Sequence, residues 1–240
     1  MQGYIFHSIK RPGNEIITAY MELNVACIYE SSDKKNILDP GIRSLLPGNK
    51  ICGSAITCKV EPGDNLLVHK AITLTEPGDI LIVDGGGDTG SALWGNNMSH
   101  AAQAKGIAGV IIDGAVRDTA DIRSINFPVW SRGINAAGPT KNKSGSINTP
   151  IRIGNVQIEP GDLIFADDDG IIVIPESKIP SVLEASQARL QKEIEIVEHL
   201  KDKETTIELL GLEQVIAELK LTEINQTYQE WRDHVSESAN

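Results

Sequence analysis

Arg117, Asp118 and Asp121 are the residues of this chain best equipped for chemistry. A guanidinium presents a planar fork of donors to a carboxylate. Two acids three residues apart share one face of a helical turn, where their oxygens can hold a hard divalent cation. These three close a stretch that opens at Asp84 and reads D-G-G-G-D-T-G-S-A-L-W-G-N-N-M, a small-residue segment, then G-V-I-I-D-G-A-V-R-D-T-A-D. Inside it, Gly95-Asn96-Asn97-Met98 reads as a helix start, whose unpaired amides and positive dipole end attract an anion. Backbone donors, one Arg and two carboxylates so close in sequence fit a small anionic ligand together with a metal ion. Taken alone, the Arg117-Asp118 pair reads equally well as a surface ion pair of little energetic weight.

The same stretch holds Gly85-Gly86-Gly87-Asp88-Thr89-Gly90, with Asp113 further along at the end of an apolar run. The spacing satisfies the dinucleotide fingerprint and raises an NAD-linked oxidoreductase as one function. Against it, Gly95 interrupts the helix that should follow the third glycine, so a tight turn is the better reading. The Asp167 to Asp169 run reads as a solvated hairpin loop. His100 is the one histidine near the cluster in sequence and reads as a helix-surface residue. No nucleophile elbow, Walker loop or zinc-protease helix is present.

The elements that must position this cluster follow from punctuation and periodicity. E-P-G-D occurs at 61–64, 76–79 and 159–162, and each copy marks a turn. The copies launch the apolar runs Leu66-Leu67-Val68, Ile80 to Val83 and Leu163 to Ala166. Further strands are expected at Ala55 to Val60, Gly109 to Asp113, Phe127 to Trp130, Ile151 to Ile153 and Ile171 to Ile174. Ala101 to Lys105 reads as a short helix, and residues 13 to 50 as a helical or irregular lead-in. From Pro180 the pattern changes: Leu183, Leu190 and Val197 recur every seven residues, giving an amphipathic helix of about six turns. A short helix follows near Val215 to Leu219, and Ile224, Tyr228 and Trp231 share a helical spacing. This order predicts a mixed α/β core rather than a repeating βαβ barrel.

With 240 residues, 40% hydrophobic and 23% charged, the chain has enough apolar material for an ordinary globular core. A formal charge of −11 and the lack of a Lys/Arg run argue against a nucleic-acid partner. No apolar run approaches the ~20 residues that cross a bilayer. Cys27, Cys52 and Cys58 form neither a disulfide framework nor a zinc pattern, so a cytoplasmic protein with reduced thiols is expected.

P-G-D-I-L-I-V-D-G-G-G, A-L-W-G, G-V-I-I-D-G-A-V-R-D-T-A-D and P-G-D-L-I-F-A-D-D-D-G-I-I-V-I-P together resemble the RraA-like family over roughly residues 50 to 175. That family includes class II pyruvate aldolases acting on 4-hydroxy-4-methyl-2-oxoglutarate and 4-carboxy-4-hydroxy-2-oxoadipate, and also a protein inhibitor of a ribonuclease. The resemblance implies a layered β/β/α, swivelling-domain-like core at 1–178. The helical extension at 179–240 would complete a homotrimer or homohexamer. By the same resemblance the substrate is a small 2-oxo acid cleaved to pyruvate, with oxaloacetate decarboxylation as a side activity. Arg117 would hold the pyruvate carboxylate or developing enolate, and the amides of Gly95, Asn96, Asn97 and Met98 would bind substrate. Asp118 would ligate Mg2+ or Mn2+ directly, Asp121 through a water, and Glu193 would approach from a neighbouring subunit. Asn96 stands where aldolase-type members often carry an acid, so its side chain cannot handle a proton. The alternative within the family is a regulator that binds protein without catalysis.

Overall fold

The computed structural model describes residues 3–202 and 205–238. The chain divides into two compact units, residues 1–190 and 191–240. The first opens with helices α1 (Asn14–Met21) and α2 (Val25–Ser31), then the short strand β1 (Arg43–Ser44) and the long strand β2 (Ile51–Val60). There follow α3 (Leu66–Ile72), β3 (Ile80–Asp84), β4 (Ala92–Trp94), α4 (Asn96–Ala104), β5 (Gly109–Val116), α5 (Thr119–Ser124) and β6 (Val129–Ile134). Five strands come next: β7 (Gly145–Ile147), β8 (Ile151–Ile153), β9 (Val156–Ile158), β10 (Leu163–Ala166) and β11 (Ile171–Ile174). Helix α6 (Ile179–Lys201) leads out of the first unit.

One sheet, ordered β1-β6-β5-β3-β2-β10-β11, carries β4 on β5 and β7 on β2, while β8 and β9 form a separate hairpin. The central pairs β2–β3, β3–β5, β4–β5 and β5–β6 are parallel. Parallel strands are covered on both faces and so lack polar alternation, which is why Ile80-Leu81-Ile82-Val83 is apolar throughout. Strand pleating sends alternate residues to opposite faces. Leu81 and Val83 meet Val68 and Ala71 of α3, Met98 and Ala102 of α4 and Ile122 of α5 in one cluster. Ile80 and Ile82 join Trp130 and the hairpin residues Ile151, Ile153, Val156 and Ile158 in another. Hairpin, sheet and helices therefore stack as the three layers β/β/α. A third cluster packs Phe165 and Ile172 against Tyr20, Val25 and Ile28 of the lead-in and against Ile179 and Val182 of α6.

The E-P-G-D turns form as their composition predicts: Gly63, Gly78 and Gly161 take φ of 73°, 87° and 91°. Leu66-Leu67-Val68, however, opens α3 rather than a strand. Its buried residues Val68, Ala71 and Ile72 follow a three-to-four spacing, which a three-residue window cannot display. Ile224 likewise lies before the last helix, α9 (Tyr228–Ser238), which follows α7 (Thr206–Leu209) and α8 (Leu212–Glu218). Within the second unit, Thr205 and Glu208 cap α7 reciprocally, and the Tyr228 and Trp231 rings lie 5.9 Å apart. Among the described residues no helix is long and apolar enough to cross a membrane. Cys27, Cys52 and Cys58 are buried and form no disulfide.

Candidate active site

Strands β4 and β5 run parallel with Trp94 opposite Val116, so Gly95 and Arg117 leave the sheet side by side. The Arg117 amide donates to the Trp94 carbonyl at 3.0 Å and locks that adjacency. Ligands in open α/β sheets bind beyond the carboxyl ends of the strands, and this is such an end. A three-residue strand therefore brings the Gly95 turn against the Arg117-Asp118 turn. Trp94 fixes the next turn as well, its indole donating to Ser99 at 2.7 Å from inside the core.

Asp118 adopts φ 56° and ψ 36°, a left-handed conformation that Asp tolerates better than most residues. Such a geometry costs on the order of 1–3 kcal/mol and persists where surrounding contacts impose it. Here it turns the carboxylate back toward β4. Asp118 Oδ2 accepts the Asn96 amide at 3.0 Å and lies 3.6 Å from Arg117 Nε. Asp121 stands in the first turn of α5, so both acids sit on one helical turn, with Asp118 as its cap.

Gly95 precedes α4 in extended backbone, φ −164° and ψ −172°, which any residue can adopt. Space is what demands glycine. A Cβ there would lie 2.6 Å from Asp118 Oδ2 and 3.2 Å from Arg117 Cγ. Gly95→Ala must displace both groups. We expect kcat/KM to fall about ten- to a hundredfold, the scale of a sub-ångström misplacement of reacting groups. Steady-state kinetics beside an unchanged thermal midpoint would check this.

Arg117, Asp118 and Asp121 line a cleft of about 360 Å³ with Gly95, Asn96, Asn97 and Met98. Every residue that the sequence assigns to the site within the first unit faces this cleft. The Asn96 amide is already donated to Asp118, which leaves those of Asn97 and Met98 as first-turn donors without intrahelical partners. Glu193 lies on α6 in the second unit.

The cleft also takes in Asn65, His69, Pro139 and Lys141, which sequence reasoning misses. His100 is exposed on α4 and is not part of the lining. Asn65 and His69 are four residues apart, a helical pair that stays hidden if Leu66 to Val68 is read as extended. Partial burial and the nearby Lys141 ammonium hold the His69 pKa below its ordinary value. Four side-chain polar atoms among the described residues are buried without a partner, and two of them, Asn65 Oδ1 and Asn96 Oδ1, belong to this lining. An orphaned acceptor costs about 1–3 kcal/mol, a burden that functional sites carry more often than plain cores do.

Among the described residues no three His, Cys, Asp or Glu side chains cluster as a metal cage. Two carboxylates in an open cleft still fit Mg2+ or Mn2+, because Mg2+ keeps several waters and takes only one or two carboxylates from a protein. They do not fit zinc, which wants three or four nitrogen or sulfur ligands. The glycine run is a turn: Gly86 and Gly87 take φ of 69° and 72°, and β4, a strand, begins just after Gly90. Asp113, the acid a dinucleotide ribose would need, is held by Arg132 Nε at 2.6 Å. The geometry gives the NAD reading no helix terminus to use.

The family described as RraA-like: Aldolase/RraA matches residues 25–173. The chain belongs to the RraA-like family. All the cleft residues named above lie inside the matched span. A Halalkalibacterium halodurans protein provisionally named a 4-hydroxy-4-methyl-2-oxoglutarate aldolase is 37% identical over 175 residues, covering 73% of this chain and 83% of that one. Among solved structures, an uncharacterised protein from Pseudomonas syringae pv. tomato aligns with a TM-score of 0.76 at 26% identity, covering 84% of this RraA-like chain and 99% of its own. RraAS2 of Streptomyces coelicolor, described as an unusual member of the RNase ES inhibitor RraA family, aligns at 0.71 and 26%, covering 78% and 97%. The layered α/β fold is thus that of its relatives.

Proposed function

We propose that this RraA-like protein is a divalent-metal-dependent aldolase that cleaves a 4-hydroxy-2-oxo acid and releases pyruvate. The observation that carries the reading is the meeting of Arg117, Asp118 and the α4 amides in one cleft. The name of the Halalkalibacterium relative supports the same reaction class.

Arg117 takes the 2-oxo acid carboxylate through two parallel donors, and the Asn97 and Met98 amides orient the adjoining keto group. Asp118 and Asp121 would hold Mg2+ or Mn2+. When bound, the ion supplies Lewis-acid polarisation of the keto oxygen and offsets the negative charge that develops there. The 4-hydroxyl loses its proton, the C3–C4 bond breaks, and its electron pair enters the 2-keto group as an enolate while C4 becomes a carbonyl. Protonation at C3 completes pyruvate. Asn96 carries an amide and cannot take the hydroxyl proton, so Asp121 orients the water that receives it. Loss of CO2 from oxaloacetate leaves the same enolate, which makes decarboxylation the expected side reaction. In this reading the protein is a cytoplasmic homotrimer or homohexamer, and Glu193 from a neighbouring subunit would help hold the cation.

Pyruvate release from 4-hydroxy-4-methyl-2-oxoglutarate and from oxaloacetate, coupled to lactate dehydrogenase, tests the proposal. We expect turnover with Mg2+ or Mn2+ that EDTA removes and added metal restores. A rate no higher than the uncatalysed one on both compounds would sink it. The inhibitor family to which the Streptomyces neighbour is assigned favours a second reading, a regulator that works by binding protein. Metal-independent capture of a defined partner, together with absent turnover, would select that reading.

A further inference from the structure

We propose that Ser99, sealed beneath the cleft, is a positioning residue that fixes the Asn97 and Met98 amides where a developing enolate needs them. The assignment rests on the reading of this end of the cleft as a 2-oxo acid site. It adds to that reading a side chain that touches neither substrate nor cation.

A Ser, Thr, Asn or Asp placed before a helix accepts the amide of the second or third helical residue. In α4 those residues are Asn97 and Met98, whose amides the proposed substrate takes. Gly95 holds the cap position, and among the described residues no side chain caps this helix. Both amides are thereby left open, and the restraint that ordinarily fixes a first turn is missing.

Ser99, the fourth residue of α4, supplies that restraint from the opposite side. It is 0% exposed and lies outside the cleft lining. Its amide and its hydroxyl both donate to the Gly95 carbonyl, at 3.1 and 3.2 Å. The same hydroxyl accepts the Trp94 indole N–H at 2.7 Å. A hydroxyl can give one hydrogen bond while receiving another, which no apolar side chain can do. Trp94 and Ser99 are thus joined through their side chains, and they bracket Gly95 to Met98.

Trp94 stiffens this clamp and connects it to the other half of the site. Its ring stacks on Phe127, with centroids 6.3 Å apart and 13° between the planes. Its carbonyl accepts the Arg117 amide at 3.0 Å. One buried residue therefore holds Arg117 through its backbone and the start of α4 through its indole. Loss of the Ser99 hydroxyl cuts the second tie and leaves the first, so the amides would shift relative to the guanidinium.

The experiment sets wild type beside Ser99→Ala, Ser99→Cys and Ser99→Thr. It measures kcat and KM on 4-hydroxy-4-methyl-2-oxoglutarate with Mg2+, the thermal midpoint, and calorimetric binding of pyruvate and of oxalate. Oxalate is planar and carries negative charge where the enolate does, so it reports the reacting state, whereas pyruvate reports the ground state. We expect Ser99→Ala to lower kcat about ten- to a hundredfold and to weaken oxalate by a similar factor, with KM and pyruvate binding within about threefold. Ser99→Cys fills the same space with a weak donor and acceptor, so its kcat should fall with that of the alanine variant. Ser99→Thr should keep most of the wild-type kcat, because a helical threonine hydroxyl reaches the carbonyl four residues back. Its extra methyl group in a sealed site should nevertheless lower the midpoint. A merely structural serine would make kcat follow the midpoint across the three variants, and that result would overturn the assignment. A kcat within about twofold of wild type in Ser99→Ala would overturn it as well. Absence of both turnover and oxalate binding in wild type would overturn the reading of the cleft, and this assignment with it.

Discussion

Asp118→Asn is expected to lower metal-dependent turnover about a thousandfold while leaving the fold intact. Asn tolerates the left-handed backbone at this position, φ 56°, as well as Asp does. Its amide oxygen can still accept the Asn96 N–H that Oδ2 accepts at 3.0 Å. What disappears is the negative charge, and with it the carboxylate that would hold the cation. Losing one preorganised electrostatic group costs about 10²- to 10³-fold in turnover, and loss of a metal ligand falls at the upper end. Asp118→Ala removes the acceptor as well and places a β-carbon where αL is unfavourable, so its thermal midpoint should fall too. Kinetics against Mg2+ concentration beside thermal unfolding would separate the two effects. An Asn variant that keeps more than about a tenth of the wild-type rate at saturating metal would remove Asp118 from the proposed metal site.

Arg117→Lys is the second large effect, because it preserves charge and discards geometry. The guanidinium offers parallel donors in one plane, whereas an ammonium is a point charge on a flexible stem. Arg117 enters the cleft from a fixed base, its amide held by Trp94 at 3.0 Å and its Nε near Asp118 at 3.6 Å. A lysine there would be free to swing onto Asp118 and neutralise the acid proposed to hold the cation. We expect kcat/KM to fall by about 10²-fold or more, with competitive inhibition by pyruvate weakened in parallel. Full activity in Arg117→Lys would mean that no bidentate carboxylate clamp operates, and a drop confined to kcat would place Arg117 at the developing enolate instead.

Much of the architecture is readable locally. Ile80 to Val83 announces a doubly buried strand through unbroken apolar character, and each E-P-G-D turn through a glycine able to take positive φ. Gly95-Asn96 marks the start of α4 where the sequence places it. Leu66 to Val68 misleads because an apolar triplet carries no period, and only the burial of Ala71 and Ile72 shows which face of α3 is inside. Strand β4 is invisible for a related reason: three residues, Ala92 to Trp94, are too short to alternate.

By itself, then, the sequence determined a mixed α/β class and the closeness of Arg117, Asp118 and Asp121, since turns, periodicity and motif spacing act over a few neighbouring residues, while the layers followed only from its resemblance to the family. Tertiary structure alone decided that Gly95 abuts Asp118, that the Asn96 amide is taken, and that Asn65, His69 and Lys141 join the same cleft. Those facts depend on the pairing of β4 with β5 and on Asp64 binding a loop that begins more than seventy residues away. Such contacts are settled by which surfaces bury one another, and no local pattern encodes them.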